Sequence, residues 1–310
     1  MATTLTSTGV LYPDGTTVEN SVTATRAIFG YGYTTDYVSV TNLVNNYGGV
    51  ATDVTGVGTA RWLLAAAGYG GDKAIFGYGG ASPSPVSTTN LVSNTGVVGS
   101  NVTGVGTARA SLAAAGYGGD KAIFGYGNNG GNFSITNLVS NIGVVASDTT
   151  GVGTARQLLS ASVYGNDKAI FGYGYTFFAV SMTNLVSNTG VVGSDVTGVG
   201  TARFGLAAAG YGGDKAIFGY GNNNSTAVSM TNLVSNTGVV GVDVTGVGTT
   251  REYPAASGYG GDKAIFGYGR LSDSTYYSLT NLVSNTGVIG VDVTGVGTAR
   301  SALAAASYSS

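Results

Sequence analysis

One phrase, Ala-Ile-Phe-Gly-Tyr-Gly, occurs six times in this chain and sets the scale of its fold. A second phrase, Thr-Ala-Arg, also recurs six times, once as Thr-Thr-Arg. Self-similarity at a fixed spacing predicts one supersecondary unit repeated along the chain. The repeated phenylalanines are Phe29, Phe76, Phe124, Phe171, Phe218 and Phe266, and the repeated arginines are Arg61, Arg109, Arg156, Arg203, Arg251 and Arg300.

Each repeat contains four short apolar runs separated by glycine, asparagine and aspartate. In the copy that begins at Arg156 they span residues 158–164, 168–173, 180–187 and 190–196. Runs of this length between turn residues are typical of strands, and four strands in about 47 residues are typical of a propeller blade. The repeat therefore predicts an all-β fold, a six-bladed β-propeller with four-stranded blades.

The first and last repeats are incomplete in complementary ways. No small-residue strand precedes Ala27, whereas the chain ends on Leu-Ala-Ala-Ala at 303–306 with no Ala-Ile-Phe strand after it. We therefore expect the C-terminal strand to complete the first blade and close the ring, which removes the free edges. The alternative is an open β-solenoid, which needs capping repeats. The expected domains are a propeller at 24–310 and an N-terminal extension at 1–23.

The order of features from about residue 24 to 310 resembles a kelch-type propeller. The unit runs from Arg through a small-residue strand and a tight turn to Phe-Gly-Tyr-Gly, then to Thr-Asn-Leu-Val. Kelch blades carry a Gly-Gly pair and a Trp where this unit has Gly-Tyr-Gly and no matching Trp. The resemblance therefore implies a blade order and no binding residues.

The N-terminal segment carries a second resemblance. Residues 8–17, with Pro13-Asp14-Gly15 as a turn, resemble a phrase of phage and virus tail-fibre proteins. This resemblance implies a virion-surface or extracellular location.

Composition argues against several functional classes. The chain has no histidine and no cysteine, which removes the commonest general base, the commonest transition-metal ligand and all thiol chemistry. A net charge of −2 gives no footprint for nucleic acid, and no apolar run approaches the roughly 20 residues that span a bilayer. We expect a soluble, non-enzymatic protein without cofactor or metal, which neither binds nucleic acid nor inserts into a membrane.

Differences among the copies are confined to two segments. One follows Phe-Gly-Tyr-Gly, and the other is the residue pair after the repeated arginine, whereas the turns at 70–72 and 94–96 barely change. If Leu-Ala-Ala-Ala is the innermost strand, an up-and-down blade places both variable segments at one end, as on a binding surface. The variable segments are 33–37, 80–85, 128–132, 175–179, 222–227 and 270–276, with the pairs 62–63, 110–111, 157–158, 204–205, 252–253 and 301–302.

Aromatic residues in these segments are the candidate ligand-binding residues. Flat aromatic faces are used by glycan sites and by protein hot spots. The hypothesis is recognition of a glycan or a host-surface receptor, and the alternative is a structural scaffold whose loops drift without a ligand. The candidates are Tyr33, Tyr37, Trp62, Phe177, Phe178, Phe204, Tyr253 and Tyr276.

Charged residues mostly follow the repeat. Five of the repeated arginines stand eight residues after an aspartate, as Arg156 does after Asp148, whereas Asn101 precedes Arg109. This spacing predicts a recurring structural ion pair or turn hydrogen bond, and the alternative is a sixfold ring of ligand-binding arginines. Arg270 is the one basic residue outside the repeat positions. Asp36, Glu252 and Asp273 are the non-repeated acids of the variable segments, too few for the paired carboxylates of a glycosidase.

Overall fold

The computed structural model describes residues 25–309 and three N-terminal strand segments, 4–6, 9–11 and 17–19. Every regular element in these residues is a β-strand, so this part of the chain offers no helix able to cross a bilayer. The strands are β1 (Thr4–Thr6), β2 (Gly9–Leu11), β3 (Thr17–Glu19), β4 (Thr25–Tyr33), β5 (Tyr37–Val44), β6 (Ala65–Tyr69), β7 (Lys73–Gly77), β8 (Thr89–Val92), β9 (Ala113–Tyr117), β10 (Lys121–Gly125), β11 (Thr136–Val139), β12 (Ser160–Tyr164), β13 (Lys168–Gly172), β14 (Thr183–Val186), β15 (Ala207–Tyr211), β16 (Lys215–Gly219), β17 (Thr231–Val234), β18 (Ala255–Tyr259), β19 (Lys263–Gly267), β20 (Thr280–Val283) and β21 (Ala304–Ser309).

The N-terminal strands pair only with one another, as an antiparallel sheet of order β1-β2-β3. The predicted turn at Pro13-Asp14-Gly15 lies outside the described residues. The division at residue 23 and the tail-fibre resemblance therefore remain predictions.

Six repeated three-stranded antiparallel sheets form the rest of the fold, a β-propeller-like arrangement. Sheet 1 has the order β21-β4-β5, and sheets 2 to 6 are β6-β7-β8, β9-β10-β11, β12-β13-β14, β15-β16-β17 and β18-β19-β20. Strand β21 pairs antiparallel with β4, placing Ala305 opposite Phe29. The C-terminal strand thus completes the first sheet, as the incomplete repeats predict.

Each sheet has three strands, whereas the sequence predicts four. The segment after β5 meets that strand only at single bridges, Val50 with Val44 and Val54 with Thr41. Backbone bonds from Val54 N to the Thr41 carbonyl and from Ala51 N to the Leu43 carbonyl, both at 2.8 Å, hold this segment. The Asn42 side chain adds to them, because its Nδ2 donates to the Ala51 carbonyl at 3.0 Å and to Asp53 Oδ1 at 2.9 Å. The predicted run at 190–196 likewise makes only single bridges, at Val192 and Val196.

The repeated phrase Phe-Gly-Tyr-Gly packs neighbouring sheets together. A Cβ on Gly30 would lie 2.7 Å from the Phe76 ring, so only glycine leaves room for the phenylalanine of the next sheet. The same ring meets Tyr31 edge-on, with centroids 5.2 Å apart. All six boundaries repeat this contact, including Phe29 of sheet 1 against Tyr268 of sheet 6.

Two cycles of backbone hydrogen bonds join the inner parts of the six sheets. In the first, each turn after an inner strand donates to the next sheet, as Gly70 N does to the Asp120 carbonyl at 2.7 Å, and Ser309 N returns to Asp72 at 3.0 Å. In the second, at the opposite end, the donors and acceptors are Leu63, Ser111, Leu158, Gly205, Tyr253 and Ala302, each bonding to the one before it over 2.7–3.0 Å, with Leu63 bonding to Ala302.

The small-residue strands are innermost, as predicted. They surround an axial cavity of about 110 Å³, to which all six inner strands contribute residues, Ala65 and Ala304 among them. Alanine, serine and glycine suit this position because six strands converge there. Larger apolar side chains fill the gaps between sheets, where Ile75, Phe76 and Tyr78 are completely buried.

Candidate functional site

The two variable segments of each repeat lie together in the structure. Single backbone bridges join them, as between Trp62 and Gly80, Phe204 and Asn222, and Glu252 and Arg270. We call the surface formed by these segments the variable face. The turns that barely change among the six copies, such as 70–72 and 94–96, lie at the other end of the sheets, where Asn141 Nδ2 donates to Asp120 Oδ2 at 3.0 Å. We call these the conserved turns, and the end where they lie the conserved end.

Hydrogen bonds tie the variable loops of neighbouring sheets to each other. Asn132 Nδ2 donates to the Thr176 carbonyl at 3.3 Å, and Asn224 Oδ1 accepts from the Ala179 amide at 3.0 Å. Asn222 Nδ2 donates to Glu252 Oε2 at 2.8 Å, which extends these bonds between loops to sheet 6. Loops held in this way are ordered before any ligand arrives, which lowers the entropic cost of binding.

Four candidate residues form one aromatic cluster across sheets 6, 1 and 2. Tyr33 is its centre, with ring centroids 5.8 Å from Tyr37, 5.5 Å from Trp62 and 6.3 Å from Tyr276. Tyr37 and Trp62 stack at 6.0 Å with their planes 21° apart. All four side chains are half-buried, so each has both a packed part and a solvent-facing part.

Phe204 and Tyr253 form a second cluster, with centroids 6.5 Å apart. Tyr175, which the sequence analysis did not select, meets Phe204 edge-on at 5.2 Å. Tyr175 lies in the variable segment 175–179, and this position is the feature by which it could have been chosen as a candidate. Burial, together with the charge of Glu252 and against the opposing charge of Arg270, raises the pKa of Tyr253 to about 12.

A charged pair lies between the two clusters. Glu252 is buried, and its carboxylate accepts from Asn222 Nδ2 at 2.8 Å and from Arg270 Nε at 3.1 Å. The Arg270 guanidinium lies 5.1 Å from the centre of the Tyr253 ring, and its backbone bridges to Tyr276 of the first cluster. The sequence set both charged residues apart as non-repeated, but it did not pair them.

The remaining candidates lie apart from these clusters. Phe177 and Phe178 are 84% and 72% exposed at the tip of one variable loop and stack on no aromatic ring of the described residues. Asp36 and Asp273 bond within their own loops, to the amides of Tyr37 and Thr275.

The six repeated arginines are completely buried between sheets. Arg156 is typical: its Nε donates to the Tyr173 carbonyl at 2.8 Å and Nη2 to Asn184 Oδ1 at 2.7 Å, both in the following sheet. Its guanidinium also lies 4.4 Å from the centre of the Tyr126 ring in the preceding sheet. Burial of this kind leaves no guanidinium surface for a ligand, which argues against the ligand-binding alternative.

Four of the repeated arginines have a carboxylate within 4.0 Å, and it differs from the predicted one. Arg156 Nη1 lies 3.9 Å from Asp195 of the following repeat, whereas Asp148, eight residues before it, accepts from Thr107 Oγ1 at 2.6 Å. The reason is topological, because the intervening residues carry the chain from the rim of one sheet into the gap before the next. Burial alone raises the pKa of Asp195, but bonds from Thr154 and Asn184 and the charge of Arg156 outweigh it, so the pKa is lowered.

Arg61 is the exception to this pattern. Asn101 occupies the aspartate position of its boundary and bonds to Thr59 Oγ1 at 2.8 Å. Arg61 instead donates to the Thr88 carbonyl at 2.7 Å and to Asn90. One buried guanidinium therefore has no carboxylate at the position that supplies one elsewhere.

No protein-family model and no curated protein matches this chain. The kelch resemblance therefore remains a prediction. Among the residues that the structure describes, no group of three or more Asp, Glu, His or Cys side chains is placed to hold a metal ion.

Proposed function

We propose that this chain is a closed six-bladed β-propeller acting as a non-enzymatic recognition module that binds a host-surface glycan through its variable face. The two backbone hydrogen-bond cycles support closure, because each returns to the sheet from which it starts. The resemblance of residues 8–17 to tail-fibre sequences supports a virion-surface or extracellular setting.

One observation carries the binding proposal: a row of partly exposed side chains crosses the variable face. We call this row the aromatic strip; it runs Phe204, Tyr253, Arg270, Tyr276, Tyr33 and Trp62, joined by the ring contacts and the backbone bridge described above. The repeated tyrosines, such as Tyr78, are completely buried in the core, whereas the rings of the strip are partly exposed and lie outside it. Aromatic faces can stack on sugar rings, each contact contributing about 0.5–1.5 kcal/mol.

A glycan array probed with a tetramerised protein tests this proposal. A few stacking contacts give roughly millimolar affinity, and linked copies raise it by about 10²–10⁴. We expect the parent to bind a subset of glycans and the Trp62→Ala, Phe204→Ala variant to lose them. Tyr47→Ala is the matched control, because Tyr47 is 82% exposed in a conserved-turn position, and it should bind normally.

An array on which the tetramerised parent binds nothing would refute the glycan proposal. Protease-sensitive binding to host cells in that case would indicate a protein receptor.

A second candidate is a structural scaffold without a ligand. The stacking of Tyr37 on Trp62 favours it, because these rings stabilise each other without any partner. A scaffold predicts that replacing all variable loops by Asn-Gly linkers leaves particle assembly and infectivity unchanged, whereas a recognition module predicts loss of attachment.

A further inference from the structure

Arg270 has a position that no other basic residue of the described chain shares. The repeated arginines are completely buried, and each lysine pairs with the aspartate before it at the conserved end. Arg26 takes the lysine position in the first copy, in β4, where it pairs with Tyr308. The Arg270 side chain is 28% exposed in the middle of the aromatic strip. It is therefore the one guanidinium of the variable face that a ligand can reach.

The surroundings of Arg270 hold only one edge of its guanidinium. Nε donates to Glu252 Oε1, and Glu252 is itself fixed by Asn222 at Oε2. Nη1 and Nη2 donate to no atom of the described residues, although together they carry four N–H donors in one plane. The buried carboxylate positions the guanidinium and leaves its terminal nitrogens for another acceptor.

We infer that Arg270 binds the carboxylate of an acidic saccharide, with the rings on both sides stacking on the sugars. A guanidinium matches a carboxylate through two parallel N–H···O bonds. A single arginine, already balanced by Glu252, suits a monoanion better than a doubly charged phosphate. This inference rests on the proposed function and adds the ligand class, an acidic sugar rather than a neutral one.

The experiment compares acidic glycans with the same glycans after reduction of the carboxyl group to an alcohol, and with sulfated glycans. The tetramerised parent, Arg270→Gln and Arg270→Lys are tested on each set. Lys215→Gln, which removes one positive charge at the conserved end, is the matched control. Glu252→Gln combined with Arg270→Gln removes the buried charge together with its partner, and circular dichroism checks the fold of every variant.

We expect the parent to prefer the acidic glycans to the reduced ones by about ten- to a hundredfold, the contribution of a charge-assisted hydrogen-bond pair. Arg270→Gln and the double variant should lose this preference, Arg270→Lys should retain part of it, and Lys215→Gln should retain it fully. Added salt should weaken binding to acidic glycans more than binding to reduced ones.

The outcomes separate this inference from the function on which it rests. Equal binding to acidic and reduced glycans overturns the inference and leaves glycan recognition standing. A preference that survives in the folded double variant also overturns it, and stronger binding to sulfated glycans replaces the carboxylate with a sulfate. No binding to any glycan overturns both proposals.

Discussion

The backbone N–H of Leu63 donates to the carbonyl oxygen of Ala302 at 2.8 Å, linking the residue pair after the first repeated arginine to the pair after the last. Five equivalent bonds complete the cycle, and its six residues all have φ between 48° and 59°. The backbone of the second position in each variable pair is therefore structural, and the side chains of both positions remain free to vary, as Tyr253 does within the aromatic strip. None of the six is β-branched, as expected where φ is positive.

The proposed ring closure predicts that the stability of the whole protein depends on its last strand. Deleting residues 303–310 exposes the inner edge of β4, and we expect unfolding or strand-swapped oligomers in light scattering. The control is a circular permutant that joins residue 309 to residue 25 by Gly-Gly-Asp and opens the turn at Asn166. It keeps every sheet and should be a folded monomer; a monomeric, stable deletion variant would contradict closure.

The packing of phenylalanine on glycine predicts a sharp cost for one added methyl group. In Gly77→Ala the new Cβ would lie 2.6 Å from the Phe124 ring, so we expect a loss of about 1–3 kcal/mol in the free energy of unfolding. Gly131→Ala is the control, since nothing lies within 4 Å of that position. Equal denaturation midpoints for the two variants would show that the ring moves aside.

Asn101→Asp should stabilise the protein. The substitution supplies the buried Arg61 with the carboxylate that the other boundaries have, and we expect a gain of about 1 kcal/mol at neutral pH. Asp148→Asn, the reverse change beside Arg109, should be destabilising by a similar amount. Urea denaturation measures both, and a destabilised Asn101→Asp variant would contradict the assigned roles of these positions.

The buried tyrosines predict sensitivity to alkali. Burial raises the pKa of Tyr78, Tyr173 and Tyr220 from 10.0 to about 12. The folded state thus favours the neutral phenol. The buried neutral tyrosines therefore contribute fully to the stability of the folded state below pH 10, and this contribution is lost as the pH rises toward about 12. Tyrosinate absorbance should rise together with the loss of circular dichroism; ionisation of these tyrosines near pH 10 in a folded protein would contradict their burial.

Acid should act on the aspartates that face the buried arginines. Burial raises the pKa of Asp243, but the bonds from Thr201 and Asn232 and the charge of Arg203 outweigh it and lower the value below 3.8. The ionised aspartates therefore stabilise the folded protein fully above about pH 4, and this stabilisation is lost as the pH falls below that value. Urea midpoints should stay level down to pH 4 and fall beneath it, and the fall should be smaller in Asp243→Asn.

The repeat made much of this fold predictable. Identical phrases predicted six units, the incomplete ends predicted the pairing of β21 with β4, and the substitutions between copies predicted a common variable face. The same identity concealed the partners: when every copy offers an aspartate, spacing cannot tell whether Arg156 binds Asp148 or Asp195. The predicted fourth run pairs only at single bridges, because its register shifts by one residue between them, as between Val44–Val50 and Thr41–Val54, and apolar patterning does not reveal such a shift. Glu252 and Arg270 occur once each, so no recurrence related them.

The most direct measurement of the central claim is a crystal structure of the protein with the glycan that binds best on the array. We predict ordered sugar density on the variable face, along the aromatic strip from Phe204 to Trp62, with a ligand carboxylate within hydrogen-bond distance of Arg270. Density at the conserved turns or at the outer rim, with an empty strip, would contradict the account.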